Sequence, residues 1–132
     1  MRQRGFTVIE LLVVIVILIV GGWLFFSEKA RIDSVGRDEI RKTAINAMYY
    51  NLEEVYYPKN GHYPSSIDSK TLRAMDPALF TDPFGIAYGQ TGSDYHYDPT
   101  GCTTDGKCTG YTLRATMERE SDYTKTHRNQ SN

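Results

Sequence analysis

One carboxylate stands out by its setting. Glu10 lies inside Gly5 to Phe26, GFTVIELLVVIVILIVGGWLFF, where Thr7 and Glu10 are the only polar side chains in the 21 residues from Phe6 onward. A charge there costs of the order of 2–3 kcal/mol or more to insert into hydrocarbon unless a partner relieves it. The chemistry open to Glu10 is charge pairing. Removal of the leader ahead of the apolar run would place an amino cation at the positive end of the helix dipole, where a carboxylate in the first turns can neutralise it. A neighbouring molecule, staggered alongside, would present the same amine inside an apolar core, where screening is weak. The plain alternative is a partly solvated carboxylate near the interface end of a simple signal anchor.

Other residues offer less. The chain has no HExxH, GxSxG, phosphate-cradling glycine loop or CxxC. His62, His96 and His127 sit apart, in polar or turn contexts suited to solvated side chains. Asp94, Asp98 and Asp105 could be drawn together by a hairpin to hold Ca²⁺, but they lack EF-hand spacing. No catalytic residue, cofactor or metal site is assigned.

The element that must position Glu10 is the apolar run itself. Its 21 residues make roughly 31 Å of helix, the thickness of a bilayer's hydrocarbon core. The leader MRQRG carries Arg2 and Arg4 without an acidic companion, which predicts a cytoplasmic N-terminus. Beyond Phe26 the composition turns to mixed charge, and no proline occurs from Phe6 to Tyr57. Ile45, Met48, Leu52 and Val55 recur at helical spacing and mark one apolar face. These features predict one helix from about Phe6 to about Tyr57, some 78 Å if continuous. Pro58 and Asn60-Gly61 are read as its stop, and Gly21-Gly22 as its weakest point.

Residues 5–14, GFTVIELLVV, resemble the class III signal and N-terminal helix of type IV pilins and pseudopilins. The resemblance implies a peptidase cut between Gly5 and Phe6 and N-methylation of Phe6. It maps the family's assembly glutamate onto Glu10. Asn60-Gly61-His62-Tyr63-Pro64 and Asp82-Pro83-Phe84-Gly85 with Tyr88 are similar to segments that follow the long helix in that family, although both are also ordinary turn chemistry. Family members often carry a helix-breaking proline near the position of Ser27, a point at which this chain departs.

The remaining boundaries follow. The expected fold is α+β, a long N-terminal helix packed on a small antiparallel sheet. Its parts are a removable leader (1–5), a membrane or filament-core helix (6–27), an amphipathic helix (28–57), a connecting region (58–91), a hairpin or sheet (92–118) and a polar tail (119–132). A turn or two of helix is expected near Ser69 to Met75. Strands are expected at Tyr95 to Tyr97 and Tyr111 to Met117, the second with Tyr111, Leu113, Ala115 and Met117 on one side. Between them Cys102 and Cys108, the only cysteines, flank Asp105-Gly106. In an exported head they predict a disulfide, since a two-thiol metal site would find only His96 nearby. The tail from Arg119 is expected to be frayed or surface-lying, and its Asn129-Gln130-Ser131 glycosylation match is read as chance.

Without its leader the chain has 13 basic against 16 acidic residues, so nucleic-acid binding is not indicated. The resemblance implies a structural subunit polymerising through its N-terminal helix into an extracellular filament. Its partners would be further copies of itself, a prepilin peptidase, an assembly platform with its ATPase motor, and the membrane before assembly. A pseudopilin of a type II secretion or competence system is the nearest alternative. A monomeric membrane-anchored binding domain is the alternative of another class.

Overall fold

The structure, a computed structural model, describes residues 7–128. A single helical run extends from Val8 to Asn60. It comprises α1 (Val8–Tyr50), a wide π turn (Asn51–Tyr56) and a last α-helical turn, α2 (Tyr57–Asn60). The run therefore passes Pro58, and of the stop signal read at Pro58 and Asn60-Gly61 only the second part ends it. A proline within a helix loses its N–H, and its ring collides with the carbonyl four residues back, here that of Glu54. The π turn relieves this. Tyr57 N–H reaches back five residues to Leu52 O, which re-spaces the carbonyls in front of the ring. The stop comes at Gly61, whose φ of 69° is left-handed and whose N–H bonds Tyr57 O at 2.8 Å.

Gly21 and Gly22 do not interrupt α1, and a Cβ at either would meet nothing within 4 Å. Ser27 turns its hydroxyl inward on the helix, donating to Leu24 O at 2.9 Å.

The chain divides between Ser34 and Val35 into two units. In the first, the apolar side chains from Val8 to Val20 are all exposed, as are Trp23, Leu24, Phe25 and Phe26. In the second, the helical run buries Asp38, Arg41, Ile45, Met48 and Leu52 in steps of three and four. The expected apolar face is present, and toward the N-terminus it continues in charged residues. The apolar residues of that stretch, Val35 and Ile40, point instead to solvent.

Among the described residues five strands follow: β1 (Tyr63–Pro64), β2 (Tyr95–Thr100), β3 (Lys107–Cys108), β4 (Gly110–Ala115) and β5 (Tyr123–Thr126). All pairings are antiparallel, in a two-stranded β1–β3 sheet and a three-stranded sheet ordered β2-β4-β5. Tyr97 lies opposite Leu113, and Ala115 opposite Tyr123. Tyr111, Leu113, Ala115 and Met117 are all buried, as their alternation predicts, and form the core with Ala44, Ile45, Met48, Leu52, Tyr63 and Leu72. Pro99 is tolerated because β2 is an edge strand.

Two local expectations are corrected. Residues 69–75 form hydrogen-bonded turns, and the short helix comes later, a 3₁₀ turn at Pro77–Phe80 capped by Asp76. The polar tail contributes β5 to the sheet. Tyr123 and Lys125 face inward on it: Tyr123 Oη donates to Asn46 Oδ1 at 3.0 Å, and Lys125 Nζ lies 5.3 Å from the Tyr49 ring centre. A lysine whose stem and ammonium cover an aromatic ring serves as well here as an apolar residue would.

Candidate functional site

Glu10 opens α1. Its Oε2 accepts from Thr7 N and Thr7 Oγ1, each at 3.2 Å, while Glu10 N donates to Thr7 Oγ1 at 3.4 Å. This reciprocal arrangement is a capping box, with Thr7 before the first helical residue and Glu10 three positions on. Sequence reasoning assigned Glu10 a charge-pairing role and overlooked the cap, although Thr-x-x-Glu is its signature. The two roles are compatible, because one carboxylate oxygen remains free of these bonds. Behind Glu10 the helix presents an apolar surface on every side, with Leu11 to Val20 exposed throughout. Such a surface requires lipid or protein cover.

In the second unit a charge network fastens helix to loops. Arg41 has no solvent-exposed surface. Its Nη1 donates to Asp38 Oδ1 at 2.9 Å and to Glu118 Oε1 at 2.8 Å, and its Nε donates to Asp94 Oδ2 at 2.8 Å. Nη2 makes an ion-pair contact with Asp94 Oδ2 at 2.7 Å, outside hydrogen-bond alignment. Burial works against the charge on Arg41, but the bonds to Asp94 and Glu118 outweigh it and raise the pKa. Arg37 grips Glu118 with two bonds, of 2.7 and 2.6 Å, and together with Arg41 holds that carboxyl down at about 2. Asp38 also accepts the backbone N–H groups of Glu118 and Arg119, each at 2.9 Å. Buried Asp82 organises the 82–86 turn, accepting from Phe84 N and Ile86 N at 2.9 Å and from Asp94 N at 3.1 Å. That turn lays the Phe84 ring against both Arg37 and Arg41, 5.4 Å from each guanidinium carbon.

A family model described as the prokaryotic N-terminal methylation motif matches residues 1–25. The chain carries the class III signal of type IV pilins. The signal leads directly into the long apolar helix, and the fold behind it is α+β with small antiparallel sheets, consistent with the pilin fold. No curated protein and no solved structure matches the chain at a significant level. Gly5 and Phe6, the expected cleavage and methylation positions, lie outside the described residues, as do residues 129–131 of the glycosylation match.

Behind the signal and its helix, Cys102 and Cys108 are joined in a disulfide that closes the turn after β2. Within it Thr103 N bonds Lys107 O at 2.9 Å, and Gly106, with φ 75°, bonds Thr103 O at 3.0 Å. Cys108 is buried opposite Tyr63, so the closed loop is tied through β1 to the end of the long helix. Asp94 is engaged by Arg41, and among the described residues no three of His, Cys, Asp and Glu gather into a metal-holding group.

Sequence reasoning also missed Glu53. It is buried in the π turn and accepts hydrogen bonds from Tyr111 Oη at 2.8 Å, Tyr63 Oη at 3.1 Å and Arg128 N at 3.2 Å. Burial first, and the bond to Glu53 second, push the Tyr111 hydroxyl pKa well above its ordinary value. Tyr63 is raised too, by burial and by the Glu53 charge. His127 packs on both rings. It lies so close to the β4 backbone at Gly110 that a Cβ there would come within 2.5 Å of its ring. Glu53, placed among the apolar residues of the stripe, gave no hydropathy signal of being core.

Proposed function

We propose that this chain is a structural subunit of a type IV pilus-like extracellular filament. It would be cut between Gly5 and Phe6 by a prepilin peptidase, methylated at Phe6, and polymerised through its N-terminal helix. The observation that carries the reading is the junction of the methylation motif with an apolar helix that has no cover in the described structure. Before assembly the apolar helix would lie in the cytoplasmic membrane with its N-terminus inside. On assembly, neighbouring helices would replace lipid around it. Glu10 would then face the N-terminal amine of a neighbour, relieving the cost of a carboxylate in an apolar core. An assembly platform and ATPase motor would drive that exchange, and the role is structural with no catalytic step.

The small disulfide-closed loop near the C-terminus supports the pilus reading over a secretion pseudopilin, since closed loops of this kind resemble those of many pilins and are unusual in major pseudopilins. Intact mass of the protein purified from its native membrane tests the processing step. The expected product begins at Phe6 and carries one methyl group. A product retaining residues 1–5 would refute the proposal.

A further inference from the structure

We propose that the cleft between the end of the long helix and the 68–75 turns is a binding site for a phosphate oxyanion, free or carried as a phosphodiester. The cleft has a volume of about 380 Å³, and Val55, Tyr56, Lys59, Lys70, Thr71 and Arg73 line it. Three of these are cations and none is a carboxylate. Lys70 and Arg73 are three positions apart and Lys59 stands 11 before Lys70, so the fold brings the helix-end lysine to the other two.

The charges around the cleft are arranged in a consistent way. Elsewhere in the second unit Arg37, Arg41, Lys42, Arg114 and Arg128 each have a carboxylate partner. Lys59, Lys70 and Arg73 have no ion pair among the described residues; Lys107, Arg119 and Lys125 have none either, but they do not line one cleft. The acids nearest in sequence are engaged by backbone: Asp76 Oδ1 accepts from Ala78 N at 2.9 Å, and Asp68, which also feels the Lys70 charge, is turned onto the turn that follows it. Its Oδ1 accepts from Lys70 N at 3.0 Å and from Thr71 N and Thr71 Oγ1 at 2.7 Å. Glu54 is engaged by Arg128. Arg73 donates its Nε to Lys70 O at 2.9 Å, which fixes the guanidinium and leaves its amino groups for a ligand. Three like charges with only Asp68 beside them repel, and an oxyanion among them removes the repulsion. Three cations match the double charge of phosphate better than the single charge of a carboxylate, and arginine's fork suits phosphate oxygens. Val55 and Tyr56 supply an apolar wall that reduces screening on that side; Tyr56 is steadied edge-on by His62, ring centres 5.9 Å apart.

The test is a backbone NMR titration of the full chain in non-ionic detergent with inorganic phosphate, ionic strength being held constant with chloride. Saturable shifts are expected at Lys59 and at 70–73. Lys70→Gln with Arg73→Gln should raise Kd about tenfold, because each lost contact contributes at the level of an exposed ion pair. Lys107→Gln with Arg119→Gln removes the same net charge elsewhere and should leave Kd unchanged. A second arm replaces phosphate with a short single-stranded oligopyrimidine. If the cleft takes phosphodiesters, the same residues shift and log K falls against log salt with a slope of about −2, for three neutralised phosphates. Saturation by phosphate alone assigns the free ion; saturation by the oligonucleotide assigns the polymer. Shifts that never saturate in either arm would overturn the proposal, as would equal losses in the two double variants.

Discussion

Replacing Arg41 with methionine should destabilise the head more than any other single exchange on the surface of the helix that faces the sheet. The side chain is fully buried, and three carboxylates converge on it. Removing one member of a buried ion pair costs about 3–5 kcal/mol, because the partner charge is left uncompensated. The lower end applies here. Glu118 would keep Arg37, Asp38 would keep two backbone N–H groups, and the Asp94 and Glu118 side chains retain 17% and 28% of their exposure to water. About 3 kcal/mol is therefore expected. All ten tyrosines lie at position 49 or later and the one tryptophan is Trp23, so near-ultraviolet dichroism during urea unfolding in detergent, followed in a Trp23→Phe background, reports chiefly on the head. With a slope of about 1–1.5 kcal/mol/M for a domain of this size, the midpoint should fall by about 2–3 M. Arg41→Lys keeps the charge but loses the fork, and should fall between. A loss below about 0.5 kcal/mol for Arg41→Met would refute the assignment of the network as the clamp between helix and loops. The same network sets an acid limit. Glu118 is held down at about 2 against an ordinary 4.5, so its contribution is complete above about pH 4.5 and is lost as pH falls toward 2. Screening by solvent limits that contribution to about 1 kcal/mol.

Two further substitutions probe the loop and the helix start. Cys102→Ser should lower head stability by about 2 kcal/mol, from the entropy of closing a loop of about seven residues, and the native protein should show no alkylatable thiol without reductant; two reactive thiols would contradict the disulfide. Glu10→Leu should insert into the membrane at least as well as the parent but fail to assemble, while Glu10→Gln, which preserves the capping box, should fail equally. Normal filaments from Glu10→Gln would show that the cap matters and the charge does not.

The parts of the fold that were legible in the sequence are those in which hydrophobicity follows a period. Ile45, Met48 and Leu52 announced the buried face of the helix, and Tyr111 to Met117 announced the central strand, because burial there is apolar. The same face extends through Asp38 and Arg41, where burial depends on charge complementarity with residues some 50 to 80 positions away. Nothing local encodes such a partner. Pro58 was misread for a related reason: a proline ends a helix unless the preceding turn widens, and the π turn is a tertiary adjustment around buried Asn51 to Glu53. β5 escaped notice because Lys125 occupies an inward position through its contact with Tyr49. At the N-terminus the methylation motif was legible by itself, since it lies in the local spacing of Gly5, Phe6 and Glu10 and needs no fold to be recognised.

The central claim is that the long helix forms the core of a polymer. Its most direct test is to shear the surface of cells that make the chain at native levels, sediment the released material, and image it by negative stain with mass analysis of its subunit. The account predicts filaments built of the chain beginning at Phe6. Recovery of the chain solely as a detergent-extracted monomer, with no fibres in the sheared fraction, would contradict it and favour a membrane-anchored binding domain.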